Sequence, residues 1–312
     1  MKNTLNESLD DDPQAYAEAL EDGWLPIREV ARLTGVNAVT LRAWERRYGL
    51  IVPHRTPKGH RLYSTAHVDR VLTILTWLNR GVSVSQVKQL IDNQQPPPPS
   101  VESDWDRLRQ NLLEAITALA ERRLDDTLNQ AMSLYPPRTL CDQLLMPLLA
   151  TLEQRWQGQF GAQLERVFFY SWLRSKFGAR LYHNNRQVSG APLLLINQSD
   201  VPLEPHLWLT AWLVSSADCP VEVFDWPLPL GELSLACEYL KPRAVLLYSS
   251  KPMNLGQLPR LLNNIDCPKL IIGPTVRIHS AELSVSVSEV AGLTLAEDPL
   301  TAQIELQRLG LI

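Results

Sequence analysis

Apolar positions along the chain follow three successive rhythms. In the first, Ile27, Val30, Ala31 and Leu33 recur at near-helical spacing and predict a helix over Ile27–Leu33. Thr34-Gly35 breaks it, since glycine takes the positive φ of a tight turn. Asn37 is then a good N-cap for a second helix, Ala38–Tyr48. Leu41 and Trp44 lie on one side of this helix, while Thr40, Arg42, Ala43, Arg46 and Arg47 cover much of the rest. Two short helices joined by a glycine turn, the second rich in arginine, form a helix-turn-helix pattern at about 27–46. The following run, IVPHRTPKGHRLYS, predicts a β-hairpin turning at Pro57–His60 with Arg55 and Arg61 on its arms. Such a hairpin is a wing, placed to grip phosphates while the helix reads base edges. Further helices are expected over Thr65–Leu78 and within Asn79–Ile91.

The second rhythm is helical throughout. Trp105, Leu108, Leu112, Ile116 and Leu119 share one face after a Ser103 cap; helices over Leu124–Leu134, from Pro136-Pro137 to Leu152, and from Gly161 to His183 follow. Four helices with short connections predict a small bundle over 103–188. From Ala191 the rhythm changes again. Short, continuously apolar runs at Pro192–Ile196, Val221–Phe224, Ala244–Tyr248, Leu270–Ile272 and Gly292–Leu295 alternate with helix-length segments. Strands of that kind are buried on both faces of a parallel sheet, so 189–312 is expected to be an α/β flavodoxin-like domain. The fold class is thus multidomain: an α+β winged helix-turn-helix over 24–93, the bundle, then the α/β domain. Pro96–Pro99 can be neither helical nor sheet-paired, and this marks 94–102 as an extended linker.

Charge divides the chain in the same places. The 312 residues carry a net charge of −4. Residues 24–93 hold 11 Lys+Arg against 4 Asp+Glu, and the first 23 residues hold one lysine against seven acids. A basic module inside an acidic chain localises polyanion contact to that module. The acidic arm over 1–23 is expected to be disordered. Its polar character is unlike a signal peptide, and no apolar run approaches the roughly 20 residues of a membrane span. The four cysteines, Cys141, Cys219, Cys237 and Cys267, form no C-x-x-C and suit a reduced, cytoplasmic setting. No catalytic triad or metal-ligand spacing stands out, so no enzyme is expected.

The segments VARLTGVNAVTLRAWERRYGL and PHRTPKGHRLYS, with the helices after them, resemble the MerR family of bacterial transcription regulators over residues 24–93. The resemblance implies a homodimer on a two-fold symmetric promoter site in double-stranded DNA, near RNA polymerase and within the nucleoid, with no membrane partner. Thr40, Arg42, Ala43 and Arg46 are then the candidates for base-edge contact. Arg47, Tyr48, Arg55, Lys58, His60, Arg61 and Tyr63 are the candidates for the backbone, and Glu45 is expected to orient arginines rather than touch DNA.

The helical bundle followed by a flavodoxin-like domain resembles the cobalamin-binding module of methionine synthase and of the light-dependent carotenoid repressors in the MerR family. That module uses D/E-x-H-x-x-G after the first strand, S-x-L after the third, G-G after the fourth, and W…E-H on the bundle. Here Glu204-Pro205-His206 supplies E-x-H, but Leu209 stands at the glycine position. Ser249-Ser250-Lys251 lacks the leucine, Gly273-Pro274 replaces G-G, and Arg166 replaces the histidine after Glu165. His206 is the candidate cobalt ligand if cobalamin binds. The whole pattern is closer to MerR regulators of the curli and biofilm type, with a degenerate sensor domain. The sequence therefore reads as a DNA-binding regulator with no cofactor, whose C-terminal half serves assembly or an unknown signal; a cobalamin-dependent sensor of light or a metabolite is the alternative.

Overall fold

The structure, a computed structural model, describes residues 23–56, 59–93, 104–158, 160–201, 203–256 and 258–312. The acidic arm (Gly23 apart), Lys58 and the proline tract lie outside the described residues. The described chain packs as two units: residues up to Leu112 together with Asp125–Gln143, and Leu113–Leu124 together with Leu144–Ile312.

In the first unit, strand β1 (Leu25–Pro26) leads into helix α1 (Ile27–Thr34). Gly35 ends α1 at φ 70°, in the left-handed region, and its N–H bonds the Ala31 carbonyl. Helix α2 (Ala38–Ala43) begins where the Asn37 side chain accepts the Thr40 N–H at 2.9 Å. The expected single helix to Tyr48 instead widens after Ala43 into a π-helical turn, Trp44–Tyr48, closed by Gly49 at φ 56°. The wing is β2 (His54–Arg55) and β3 (Arg61–Tyr63), antiparallel, with His54 opposite Leu62. Strand β1 adds to its other side, a two-residue pairing that apolar periodicity is too short to reveal. Helices α3 (Thr65–Asn79) and α4 (Val84–Asn93) complete the winged helix.

Helix α5 (Asp104–Thr117), α6 (Glu121–Leu134) and α7 (Pro137–Leu140) follow. Their residues within the first unit are bonded directly to the winged helix. Trp44 is fully buried, and its indole N–H donates to the Leu134 carbonyl at the end of α6 (2.8 Å). The Trp105 indole donates to the Gly81 carbonyl (2.9 Å) and stacks near Tyr135, with ring centroids 4.3 Å apart. Thr139 donates to the Asn79 side chain (2.8 Å), and Ser85 to Asp104 (2.5 Å). The buried or partly buried donors among these, Trp44, Trp105 and Thr139, thereby keep a partner that water would otherwise supply.

In the second unit, helices α8 (Met146–Arg155) and α9 (Ala162–Asn185) precede five strands: β4 (Leu193–Asn197), β5 (Val221–Phe224), β6 (Ala244–Tyr248), β7 (Lys269–Ile272) and β8 (Leu293–Ala296). All pair in parallel, in the order β5-β4-β6-β7-β8. The sheet lies between two sets of helices. Helix α10 (Pro205–Ser215) is buried on nearly every side, between α9 and the β4 end of the sheet; Phe177 of α9 lies against its Trp212, ring centroids 5.0 Å apart. Helices α11 (Leu233–Leu240) and α12 (Leu258–Leu262) contribute Leu233, Leu258 and Leu262 to a core cluster with Leu194, Val245, Leu247 and Ile271 of the strands. Helices α13 (Thr275–Ile278), α14 (Ser280–Glu289) and α15 (Pro299–Arg308) finish the chain. No helix among the described residues is long and apolar enough to cross a membrane.

Replacing Trp44 by Phe keeps an apolar ring but strands the Leu134 carbonyl. A loss of about 1–3 kcal/mol in unfolding free energy is expected from the unpaired buried acceptor. Urea denaturation of the full chain measures it, and an unchanged midpoint would mean that the indole bond contributes nothing.

Candidate nucleic-acid interface

The candidate reading surface is built from α2, the π-helical turn and the wing. Leu41 and Trp44 point into the core, and this orientation turns Arg42, Arg46 and Arg47 outward. Among the described residues none of these three arginines has an ion-pair partner, so three guanidinium groups face solvent with their donors free. Val39 is 60% exposed on the same helix. An exposed apolar side chain there suits contact with a thymine methyl. Tyr48 is half-buried.

Glu45 ties the wing to this helix. Its carboxylate accepts from Arg55 Nη2 and from Arg61 Nε, both at 2.5 Å. Burial alone would raise the pKa of this carboxyl; the hydrogen bonds from Arg61 and Arg55 outweigh it and hold the pKa below the usual glutamate value. Glu45 therefore stays ionised and orients both wing arginines, as the sequence suggested. Arg55 keeps half its side chain exposed, whereas Arg61 keeps about a fifth. Gly59 and His60 at the wing tip are exposed, and the Gly59 N–H bonds the Thr56 carbonyl (2.8 Å).

Three residues expected at the interface are placed elsewhere. Thr40 is fully buried because it lies on the face of α2 turned toward the core, and among the described residues its hydroxyl has no hydrogen-bond partner. Ala43 is 6% exposed beside Trp44. Tyr63 is fully buried where β3 meets the helices, edge-on to His67, and burial pushes its phenol up to about 12. These three support the reading surface from beneath. Two cations went unnoticed in the sequence. Exposed Arg28 stands in the first turn of α1, and exposed Lys88 of α4 brings its Nζ to 3.2 Å from where a Cβ on Gly49 would stand, at the end of the π-helical turn. Neither has a local motif; chain folding alone puts Lys88 beside the recognition turn.

His206 belongs to the other unit. It stands in the first turn of α10, half-buried, with burial lowering its pKa and the charges of Glu153 and Asp298 opposing that shift. Its imidazole is neutral at physiological pH, and among the described residues no group of His, Cys, Asp and Glu is arranged to hold a metal ion.

Comparison with known proteins matches this geometry to a family. Residues 25–94 fit the profile described as "MerR HTH family regulatory protein", and residues 108–181 fit that of a "B12 binding domain". The chain is 32% identical over 235 residues to the HTH-type transcriptional regulator MlrA of Escherichia coli K12, covering 75% of this chain and 92% of that protein. It is 30% identical over 236 residues to MlrA of Salmonella typhimurium, with 76% and 92% covered. The HTH-type transcriptional repressor CarH of Myxococcus xanthus is 33% identical over 149 residues, 42% of this chain and 47% of that protein. The second profile makes cobalamin a candidate ligand of the C-terminal half. With nearly the whole of an E. coli regulator covered, the chain belongs to the MerR family of helix-turn-helix regulatory proteins and is a DNA-binding transcriptional regulator of that type.

Proposed function

We propose that the chain binds as a homodimer to a two-fold symmetric promoter site, with α2 and the π-helical turn in the major groove and the wing on the flanking phosphates. The observation that carries this is the division of labour around Glu45: two arginines are committed to the wing, and Arg42, Arg46 and Arg47 are left free on the helix. Arg42 and Arg46 take base edges, each a potential bidentate partner for guanine, with Val39 beside them. Arg47, Tyr48, Arg55, His60 and Arg61 take the backbone, joined by Lys58, Arg28 and Lys88. Distorting the promoter costs a few kcal/mol, which such contacts offset.

In this reading RNA polymerase is the neighbour at the promoter, the setting is the bacterial cytoplasm and nucleoid, and the chain acts by binding rather than catalysis. The strand order, in chain sequence 2-1-3-4-5, supports a flavodoxin-like C-terminal domain. That half serves assembly or senses a ligand other than cobalamin.

Arg46→Ala and Arg42→Ala are each expected to weaken specific operator binding by about 1–3 kcal/mol while leaving non-specific binding nearly intact. Arg47→Ala is expected to weaken both and to reduce the salt slope by about one. Gel-shift titrations across a salt series, with footprinting to show a two-fold symmetric site, check these outcomes; operator affinity unmoved by all three variants would sink the docking.

Glu45 adds a pH signature. Its folded pKa is depressed, so the wing attachment is fully present above the unfolded glutamate pKa of about 4.3 and is lost as pH falls through the lower folded value. Glu45→Gln should weaken DNA binding at neutral pH by loosening Arg55 and Arg61, and should remove that part of the acid destabilisation. Identical acid unfolding profiles for the variant and the natural chain would contradict the clamp.

A further inference from the structure

The C-terminal ends of parallel strands are where an open α/β sheet takes its ligands. In the cobalamin-binding relatives that crevice needs a histidine free to reach the metal and glycines that let backbone approach the corrin and its tail. Four features of this chain occupy the same ground. Pro205 and His206 are already wound into α10, where the His206 carbonyl accepts the Thr210 hydroxyl at 2.8 Å. Leu209, at the glycine position, is fully buried. Gly273 remains, at φ 105°, but a Cβ there would stand 2.6 Å from the Ser249 carbonyl oxygen. Its missing side chain thus serves the chain's own close approach of two loops. Pro274 follows and starts α13.

Polar side chains complete the closure. Buried Glu204 accepts the Ser250 hydroxyl, and the Ser250 N–H donates to Ser199 Oγ (2.9 Å). On the helical side, Tyr170 donates to Glu153, and Arg166 stands 3.7 Å from the same carboxylate. Trp156 and Arg155 both donate to Glu165 (3.2 and 3.0 Å). The two groups feel each other: the charge of Glu153 adds to the burial that raises the Glu204 carboxyl, and Tyr170 adds to that raising the buried Tyr248 phenol.

We infer that this edge of the sheet is closed by the chain's own side chains, a Glu204–Ser250–Ser199 network facing an Arg166–Glu153–Tyr170 network, and that the closure stands in place of cobalamin. The neutral His206 is chemically fit to ligate a metal; what the arrangement lacks is room for the corrin, because Leu209 and Pro274 stand at positions where the module has glycines, and Glu204 and Ser250 beside them are already bonded to each other. The inference extends the reading of the C-terminal half and is independent of DNA binding.

Two measurements on the full chain test it without DNA. Mixed in the dark with excess adenosylcobalamin or hydroxocobalamin and passed through gel filtration, the protein is expected to elute free of corrin absorbance. Stoichiometric co-elution with either would overturn the inference. Glu204→Ala, which leaves the Ser250 hydroxyl stranded, is expected to lower the melting temperature by about 4 °C or more. Ser250→Ala, a smaller change that serves if the first variant fails to fold, should lower it in the same direction. Glu204→Gln keeps an acceptor for Ser250 and should hold the melting temperature within about 2 °C of the natural chain. No shift in the alanine variants, or a fall in Glu204→Gln as large as in Glu204→Ala, would equally overturn it.

Discussion

A buried indole N–H gains most when it finds an acceptor. Trp44 sits at the heart of the DNA-reading helix with no solvent access, and the acceptor it finds is the carbonyl of Leu134, ninety residues along the chain. A donor left unpaired in that interior would cost more than the bond contributes. The winged helix is therefore not finished by its own residues. The ends of α5, α6 and α7 complete it through Trp105, Tyr135 and Thr139.

With Trp44 and Leu41 anchored inward, the charges sort themselves by geometry. The arginines that follow point outward, and the lone acid among them, Glu45, turns sideways to take Arg55 and Arg61 from the wing. Partly sheltered ion pairs of this kind fix orientation more than they add stability. Here they tie the wing to the helix, so that the contacts proposed to bases and to phosphates share one frame.

The second unit shows the same economy applied to a ligand crevice. A parallel sheet with its strand ends facing helices is a natural ligand site, and the segment before it in the chain, residues 108–181, fits the profile of a B12 binding domain. With Leu209 and Pro274 at the glycine positions, polar groups at that edge pair within the chain, buried Glu204 with Ser250 and Tyr170 with the half-exposed Glu153.

Much of this was legible in the residues alone. The glycine turn at Gly35, the Asn37 cap, the arginine-rich second helix, the wing and the five parallel strands all declare themselves locally, through backbone freedom, capping and apolar period. The role of Glu45 followed from charge. Tertiary packing decided the rest. Helical spacing shows that Thr40 and Ala43 lie near the arginines, but only the packing shows that the buried side of this helix is wide enough to take them in with Leu41 and Trp44. Tyr63 carries a hydroxyl suited to phosphate, yet its strand buries it. Lys88 reaches the recognition turn from a helix about forty residues away in sequence, and Trp44 finds its partner still farther off. Periodicity reports only which face of an element is apolar; what that face meets, and which acceptor a buried donor such as the Trp44 indole finds, is settled by the packing of distant segments.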